Sequence, residues 1–347
     1  MTNCNRRMFL AAALTAPVAA GTVVPGAAPA LAQTAAPTAA PTAVPTASPA
    51  WPVSTVTLLA PFAPGGSVDS ISRLITSGLA QRLGATVIVE NKAGASGAIG
   101  AAAVARAKPD GATWLVAFDT HGVNPSLQPL SFDTEKDLEP VLLIGTAPNV
   151  ITCHPSRPWQ SFQEVIAAAK ASPGKITYAS IGVGSLGHLT VLLLAKEAGI
   201  SITHVAYRGG GPAVNDAVGG HVDLMIGTTA LLNQQIEGKL LRPLLQTGKT
   251  RKAGLDVPTA IEAGFKDFSA LGWWAVFAPK ATPAPLIERF RAELVATMRD
   301  EKIGRQLADT QQIDLVLGGP DVLRPFLSQQ IKTWGDVVRE HGIKAQN

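Results

Sequence analysis

One local unit limits the possible folds of this chain most strongly: an apolar strand that runs directly into a glycine turn and then into a helix. The apolar run spans 53–60 and leads into Gly65 and Gly66. Apolar residues then recur at helical spacing until Gly84. The turn brings the unpaired N–H groups of the helix start to one rim, where their partial positive charge favours an anion. The unit therefore indicates an α/β protein with a binding loop that needs no catalytic side chain.

The same order of strand, short connection and helix recurs along the chain. In the first half, strands are predicted at 86–90 and 113–118, with an Ala-rich helix between them that ends at Lys108. Alternation of this kind is typical of doubly wound, mainly parallel sheets. A second series of strands and helices is predicted at 176–180, 188–198, 203–207, 213–218 and 222–227.

Two α/β units of similar size predict two lobes with a ligand-binding cleft between them. The predicted bounds are 53–147 plus 273–347 for lobe I and 148–272 for lobe II. In open sheets, ligands bind beyond the carboxyl ends of the strands. This rule selects the loops at 62–69, 91–97, 119–124, 180–188, 208–212 and 227–229.

Most of these loops combine glycine with small hydroxyl or amide side chains, which offer hydrogen-bond donors with little bulk. The Arg208 guanidinium suits either a ligand carboxylate or the nearby Asp216, and the sequence leaves both partners open. Asp69 suits two compatible roles, as the N-cap of its helix and as an acceptor for a ligand hydroxyl or ammonium. Further candidates for ligand contact in these loops are Ser67, Thr120, His121 and Thr228.

A glycine motif in the second series resembles a nucleotide site and has to be weighed. Gly182, Gly184 and Gly187 have the spacing of a dinucleotide fingerprint, after a strand and before a helix. The acidic residue that would bind the ribose is expected about 20 residues further on. Tyr207 and Arg208 occupy that region instead, and the chain has no GxxxxGK[ST] phosphate loop. We therefore expect neither a nucleotide nor any other cofactor.

Ser185 and His188 raise the alternative of a secreted hydrolase. A G-x-S-x-G elbow needs glycine two residues before the serine, where Val183 stands. His188 is also too close in sequence to act as the distant base of that fold. A hydroxyl that binds a ligand is the favoured interpretation of Ser185. The six histidines show no metal-ligand spacing, so no metal is expected.

Three residues in apolar runs are candidates for the core. Cys153 follows Ile151 and Thr152 and is expected to be a buried structural thiol. Trp273 and Trp274 suit either a ligand slot or core packing, and the sequence does not decide between the two.

The N-terminal region has the composition of an export signal and a tether. Residues 1–32 combine Arg6 and Arg7 with a modest apolar stretch and a small-residue cleavage site near Ala32, which is typical of a twin-arginine-like leader and predicts the periplasm. Residues 33–52 are almost entirely Ala, Pro and Thr and predict a linker. Removing the two leader arginines lowers the formal net charge from +4 to +2, which gives no support to nucleic-acid binding.

The ordered segments PFAPGGSVDSISR, ENKAGASGAIGAAAVARAKPDGATWLVA, YASIGVGSLGHLT and HVAYRGGGPAVNDAVGGHVDLM resemble the substrate-binding receptors of tripartite tricarboxylate transporters, the Bug family. FDTEKDLEPV and DVPTAIEAGF extend the resemblance over the chain from Val53 onward. It implies a two-lobed periplasmic binding fold, type II-like, whose lobes close on a small organic carboxylate. One departure is Ala206, where the family usually has proline.

The resemblance also implies roles for individual residues. In this family the first-lobe glycine loop holds a ligand carboxylate through backbone N–H groups. That loop corresponds here to Phe62, Ala63, Gly65, Gly66 and Asp69. The second-lobe loop corresponds to Ser180, Gly182, Val183, Gly184, Ser185 and His188.

The implied function is an exported, monomeric solute receptor that delivers its carboxylate to the membrane subunits of a transporter. The resemblance implies no enzymatic activity. A ligand-sensing subunit of a signalling system is a further alternative beside the hydrolase, and the sequence does not identify the carboxylate.

Overall fold

The structure, a computed structural model, describes residues 50–266 and 268–344. The predicted export signal and nearly all of the predicted linker lie outside these residues. Trp51 is described and belongs to the folded part, because its ring packs against Trp114 and Phe290 and its Nε1–H donates to the Gly111 carbonyl oxygen at 3.3 Å. The linker therefore ends before Trp51 and not at residue 52, since an indole of this size buries apolar surface that the Ala, Pro and Thr residues before it lack.

The described part of the chain contains ten strands and ten α-helices. The strands are β1 Thr55–Ala60, β2 Thr86–Asn91, β3 Thr113–Phe118, β4 Leu138–Cys153, β5 Thr177–Ser180, β6 Thr203–Ala206, β7 Leu224–Thr228, β8 Arg242–Gln246, β9 Leu271–Pro279 and β10 Asp314–Gly318. The helices are α1 Ser67–Leu83, α2 Ala98–Ala105, α3 Thr120–Leu127, α4 Phe162–Ala171, α5 Leu186–Ala198, α6 Gly210–Val218, α7 Thr229–Glu237, α8 Ala284–Met298, α9 Glu301–Arg305 and α10 Pro320–Glu340. None of these described helices has the length and apolar character needed to cross a membrane.

The strands form one sheet in the order β2-β1-β3-β9-β4-β7-β5-β6, and β8 and β10 each pair with β4. Parallel pairing holds β1 between β2 and β3 in one half of the sheet and β5 between β6 and β7 in the other half. The predicted α/β class and both parallel units are confirmed. The centre of the sheet is antiparallel, because β9 pairs in this way with β3 and β4, and β4 with β7. Strands β3 and β7 were predicted from the sequence, whereas β4 and β9 were not.

Strand β4 joins the two halves of the sheet. Its residues up to Pro148 pair with β9, whereas Asn149 to Cys153 pair with β7. Connections on either side of this strand therefore lead into different halves, and the loops at the carboxyl ends of both parallel units face the same central region. Cys153 is buried at the end of β4, as expected, and burial raises the pKa of its thiol.

Helix α1 shows why the sequence pattern positions the first glycine loop. Ile71, Ile75 and Leu79 lie one turn apart on one face and are fully buried in the core beneath β1. Burial of each such side chain contributes about 1.5–3 kcal/mol. Gly84 ends the helix in a left-handed conformation, φ 66°, and its N–H donates to the Ala80 carbonyl oxygen. The buried face and the C-terminal turn fix the position of the helix, whose first turn follows β1 across the glycine loop.

Candidate ligand-binding cleft

A cavity lies between the two halves of the sheet. Five predicted site residues line it, and they come from both halves: Phe62, Gly66, Ser67, Ser185 and Thr228. The free volume of the cavity is about 20 Å³, which is room for about one water molecule. The walls therefore have to move apart before a dicarboxylate can enter.

Four helices begin at this cavity. Gly66 is the N-cap of α1, Ser185 that of α5 and Thr228 that of α7, and Gly210 is the first residue of α6. The N–H groups in the first turn of a helix have no carbonyl partner within that helix, and the helix dipole adds positive potential. Four such ends around one buried space favour an anion without any basic side chain.

Three hydroxyl groups add to this set of donors. The Ser67 Oγ accepts a hydrogen bond from the Trp274 Nε1–H at 3.3 Å, and the Ser185 Oγ accepts one from the His188 backbone N–H at 3.2 Å. In these bonds both serines act as acceptors, so their own hydroxyl protons can point to a ligand. The Thr228 Oγ1 is buried and has no hydrogen-bond partner among the described residues. Two serines and one threonine thus offer O–H donors at the cavity wall.

Asp119 and Asn149 also line the cavity, although neither was predicted as a site residue. Burial raises the pKa of the Asp119 carboxyl to about 8, even though the backbone N–H groups of Leu186 and Thr120 lower it. Asn149 is buried on β4 opposite Thr228 on β7. The rule that ligands bind beyond the carboxyl ends of strands selected the loop that starts at Asp119. Asn149 lies within a strand, and that rule selects no residue inside a strand.

The structure corrects two expectations about the first glycine loop. The Ala63 N–H donates to the Arg208 carbonyl oxygen at 3.3 Å, and the Gly65 N–H donates to the Asp69 Oδ2 at 3.0 Å. Both N–H groups are thus used within the protein in this conformation. Asp69 is the third residue of α1 and not its N-cap, because the helix already begins at Ser67.

The Asp69 carboxylate is held by a partner on its own helix. Arg73 Nε lies 3.0 Å from both carboxylate oxygens. Burial opposes ionisation of Asp69, but hydrogen bonds from Arg73, Gly65 and Asn91 outweigh it, so the pKa lies below its ordinary value. The carboxylate therefore supports the loop from behind, and the cavity wall at this point is formed by Gly66 and Ser67.

Ser180 and His188 lie behind the second loop. The Ser180 Oγ donates to the Gly182 carbonyl oxygen at 3.0 Å and lies 2.7 Å from the His204 Nε2. The His188 ring stacks on the His204 ring with centroids 4.1 Å apart, and its Nδ1 accepts the Gly184 N–H at 3.1 Å. Burial lowers the pKa of His188 to about 4, and burial together with His188 lowers that of His204 to about 3. These contacts hold the shape of the loop with neutral imidazoles.

The remaining predicted residues lie outside the central cavity. Gly182, Val183 and Arg208 line an outer groove, and the Tyr207 hydroxyl donates to Asp216 at 2.6 Å. Asp216 thus has Tyr207 as its hydrogen-bond partner, and no ion pair joins it to Arg208 among the described residues in this conformation. Thr120 and His121 face a small enclosed space on the other side of their loop.

The tryptophan pair belongs to the core. Trp273 and Trp274 are both fully buried, so core packing is the correct one of the two interpretations. Trp274 still reaches the site indirectly through its hydrogen bond to Ser67. Within residues 50–266 and 268–344, no cluster of three His, Cys, Asp or Glu side chains is arranged to hold a metal ion.

This fold and this cavity are those of a two-lobed periplasmic binding protein, and comparisons with known proteins agree. Periplasmic binding protein BugD has a TM-score of 0.80 and 31% identity, covering 84% of this chain and 99% of BugD. Rpa4515 of R. palustris with adipate has a TM-score of 0.81 and 29% identity, covering 85% of this chain and 100% of that one. MatC from Rhodopseudomonas palustris with bound malate has a TM-score of 0.77 and 31% identity, covering 83% and 99%.

The sequence comparisons identify the family. BugT of Bordetella pertussis is 34% identical over 298 residues, which cover 85% of this chain and 91% of BugT. Residues 71–343 match the family described as "Tripartite tricarboxylate transporter family receptor". The chain belongs to this family, as the sequence resemblance predicted.

Proposed function

We propose that the protein is an extracytoplasmic solute receptor that binds a small organic carboxylate in the central cavity and delivers it to a tripartite tricarboxylate-type membrane transporter. The observation that carries the proposal is the convergence of four helix N-termini on one buried space. None of the described wall residues is Lys, Arg or His. Charge recognition therefore rests on backbone dipoles and hydroxyl groups, which suit a carboxylate. The adipate and malate complexes of similar proteins support this ligand class.

We further propose that the two lobes, 53–147 plus 273–347 and 148–272, open to admit the ligand and close around it. Hydrogen bonds between loops at the cleft join these segments, from the Ala63 N–H to the Arg208 carbonyl oxygen and from the Ser96 Oγ to the Val183 carbonyl oxygen at 2.6 Å. A ligand in the cavity has to compete with such contacts or add to them. The closed form would be the one that membrane subunits recognise.

The location and assembly follow from the same proposal. Residues 1–32 would direct export and be removed near Ala32, and the receptor would act in the periplasm as a monomer. The hydrogen bonds of Ser185 support binding without turnover, because its Oγ caps α5 through the His188 N–H while the imidazole Nδ1 accepts another N–H. Stoichiometric recovery of the unchanged carboxylate after incubation would distinguish a receptor from a hydrolase.

Thermal denaturation against a panel of di-, tri- and aromatic carboxylates tests the ligand class. A ligand at about 100 times its dissociation constant adds roughly 2.7 kcal/mol to the free energy of unfolding. For a protein of this size, the melting temperature should rise by about 5–10 °C. A flat response across the whole panel would contradict the proposed function.

Variants of Gly66 test the site. A Cβ atom at this position would lie 3.4 Å from the Gly210 N, which is ordinary contact. Gly66→Ala is therefore expected to weaken binding slightly, whereas the branched side chain of Gly66→Val should block close approach of a ligand and abolish binding. Both variants should keep their melting temperature without ligand. Equal affinity of the valine variant and the wild type would remove the loop from the site.

A further inference from the structure

Asp119 is a buried acid at the cavity wall that the proposed function leaves unexplained. It is only 1% exposed, it follows β3 directly, and it lines the same cavity as Ser67, Ser185 and Thr228. Its Oδ1 has no hydrogen-bond partner in the part of the chain that the structure describes. An unpaired carboxyl oxygen in a buried, anion-favouring cavity requires a physical explanation.

No described cation faces this carboxyl group. On its own helix, His121 is neutral at physiological pH because burial lowers its pKa to about 4, and on α5 the same holds for His188. The Asp69 carboxylate on α1 is paired with Arg73. The adjacent strands β7 and β9 carry no ionisable side chain, and the nearby part of β4 contributes only the neutral Asn149.

More distant charged side chains do not reach the carboxyl group either. Arg208 lies in the outer groove. Helix α10 packs on the other side of α3, and its charged residues are solvent-exposed, for example Lys332 and Asp336.

An ionised Asp119 would therefore repel the ligand carboxylate across a space of low dielectric constant. Two carboxylates that share a site do not both ionise, and the shared proton then forms a charge-assisted O–H···O⁻ bond. A carboxylic acid in an apolar site can stay neutral at physiological pH and act as a hydrogen-bond donor. Burial raises the pKa of Asp119 to about 8, which agrees with this state.

We propose that Asp119 is a ligand-binding residue that remains a neutral carboxylic acid and donates its O–H to a carboxylate oxygen of the ligand. The inference rests on the proposed function and specifies its ligand: the group that meets Asp119 is an acceptor and not an ammonium. Binding then requires the proton, so alkaline pH weakens it. An ammonium group at this position would require ionised Asp119, and alkaline pH would strengthen binding instead.

Isothermal calorimetry with adipate as the probe, and with malate and citrate in parallel, tests the pH dependence. From one pH unit below a pKa of about 8 to one unit above it, the wild-type dissociation constant should rise about tenfold. Asp119→Asn keeps an N–H donor of the same shape and should bind with little pH dependence. Asp119→Ala, which lacks a donor, should bind more weakly than Asp119→Asn at neutral pH. The pKa values of His121, His188 and His204 lie far below pH 7–9, so these imidazoles do not contribute to a change of affinity over that range.

Carbon-13 NMR of the aspartate carboxyl groups supplies a second measurement that needs no ligand. The resonance missing in Asp119→Asn identifies Asp119, and it should titrate near the same pKa in the free wild type. Titration in the ordinary aspartate range would overturn the proposal, as would pH-independent or alkaline-enhanced binding of a carboxylate. Those binding results would leave the proposed function standing. Failure of every carboxylate to bind would count against both proposals.

Discussion

Gly211→Ala is expected to block lobe closure without disturbing the fold. Gly211 lies in the first turn of α6, outside the central cavity, and its φ is not in the left-handed region. Alanine suits a helix better than glycine, so the backbone itself favours the change. A Cβ atom at this position would nevertheless approach the Pro64 carbonyl oxygen to less than 3.0 Å, where ordinary contact begins near 3.4 Å. Pro64 belongs to the glycine loop of the other half of the sheet.

The size of the effect follows from this contact. The opposing atom is a backbone oxygen, so it can move only if the loop or the whole lobe moves. Overpacking of this kind costs about 1–3 kcal/mol. If only the closed form carries the cost, the dissociation constant should rise roughly 5- to 150-fold. Calorimetry with the carboxylate that gives the largest thermal shift measures this change, and the melting temperature without ligand reports on the fold.

Gly304→Ala is the matched control. It adds the same methyl group to the short helix α9, where the nearest atom is the Met298 carbonyl oxygen at 3.1 Å, away from the cavity wall. This variant should bind like the wild type. Wild-type affinity in Gly211→Ala would refute the reasoning that the loops of the two halves have to meet for tight binding. A large loss of melting temperature in Gly211→Ala would show that the contact is needed for folding instead.

Two further predictions concern single side chains at the cavity. Ser185→Ala removes a neutral hydrogen bond to the ligand and should weaken binding by about 0.5–1.5 kcal/mol. It also removes the cap of α5, so the free energy of unfolding should fall by about 1 kcal/mol. Unchanged binding in calorimetry would take Ser185 out of the site. Asp119 has a pKa of about 8 in the folded protein against 3.8 ordinarily, so the folded state binds more protons between these values and wild-type stability falls as pH rises through that range. Asp119→Asn does not ionise, so urea unfolding should show equal stabilities near pH 4 and an advantage of ~4 kcal/mol for the variant near pH 7. Parallel pH profiles of the two proteins would contradict the buried, neutral state of Asp119.

The sequence predicted elements whose signals are local. The spacing of Ile71, Ile75 and Leu79 gave α1, and Ser67, Ser185 and Thr228 were found because they stand between a strand and a helix. The start of α1 was placed too late because an Asp near a glycine turn is a common N-cap, whereas here the carboxylate reaches back to the loop from the third helical position.

The site residues that the sequence did not predict reach the cavity through contacts between segments that are far apart in the chain. Asn149 lies in a continuous apolar strand, and it meets the cavity only because β4 passes from one half of the sheet to the other beside Thr228. In the loop after β3, the strand-end rule selected the segment but not the direction of its side chains. Successive helical residues point about 100° apart, so Asp119 faces the cavity while Thr120 and His121 face away from it.

The shared strand β4 also has a consequence for unfolding. Leu138 to Pro148 supply the ladder partner of β9, and Asn149 to Cys153 supply that of β7, so one continuous strand carries the central hydrogen bonds of both halves and melting of either half frees part of it. Amide protons of β4 are therefore expected to exchange with solvent only through global opening, later than those of the edge strands β2 and β6. Denaturation should follow a single transition. Two lobes that move apart for a ligand are thus expected to form one cooperative unit.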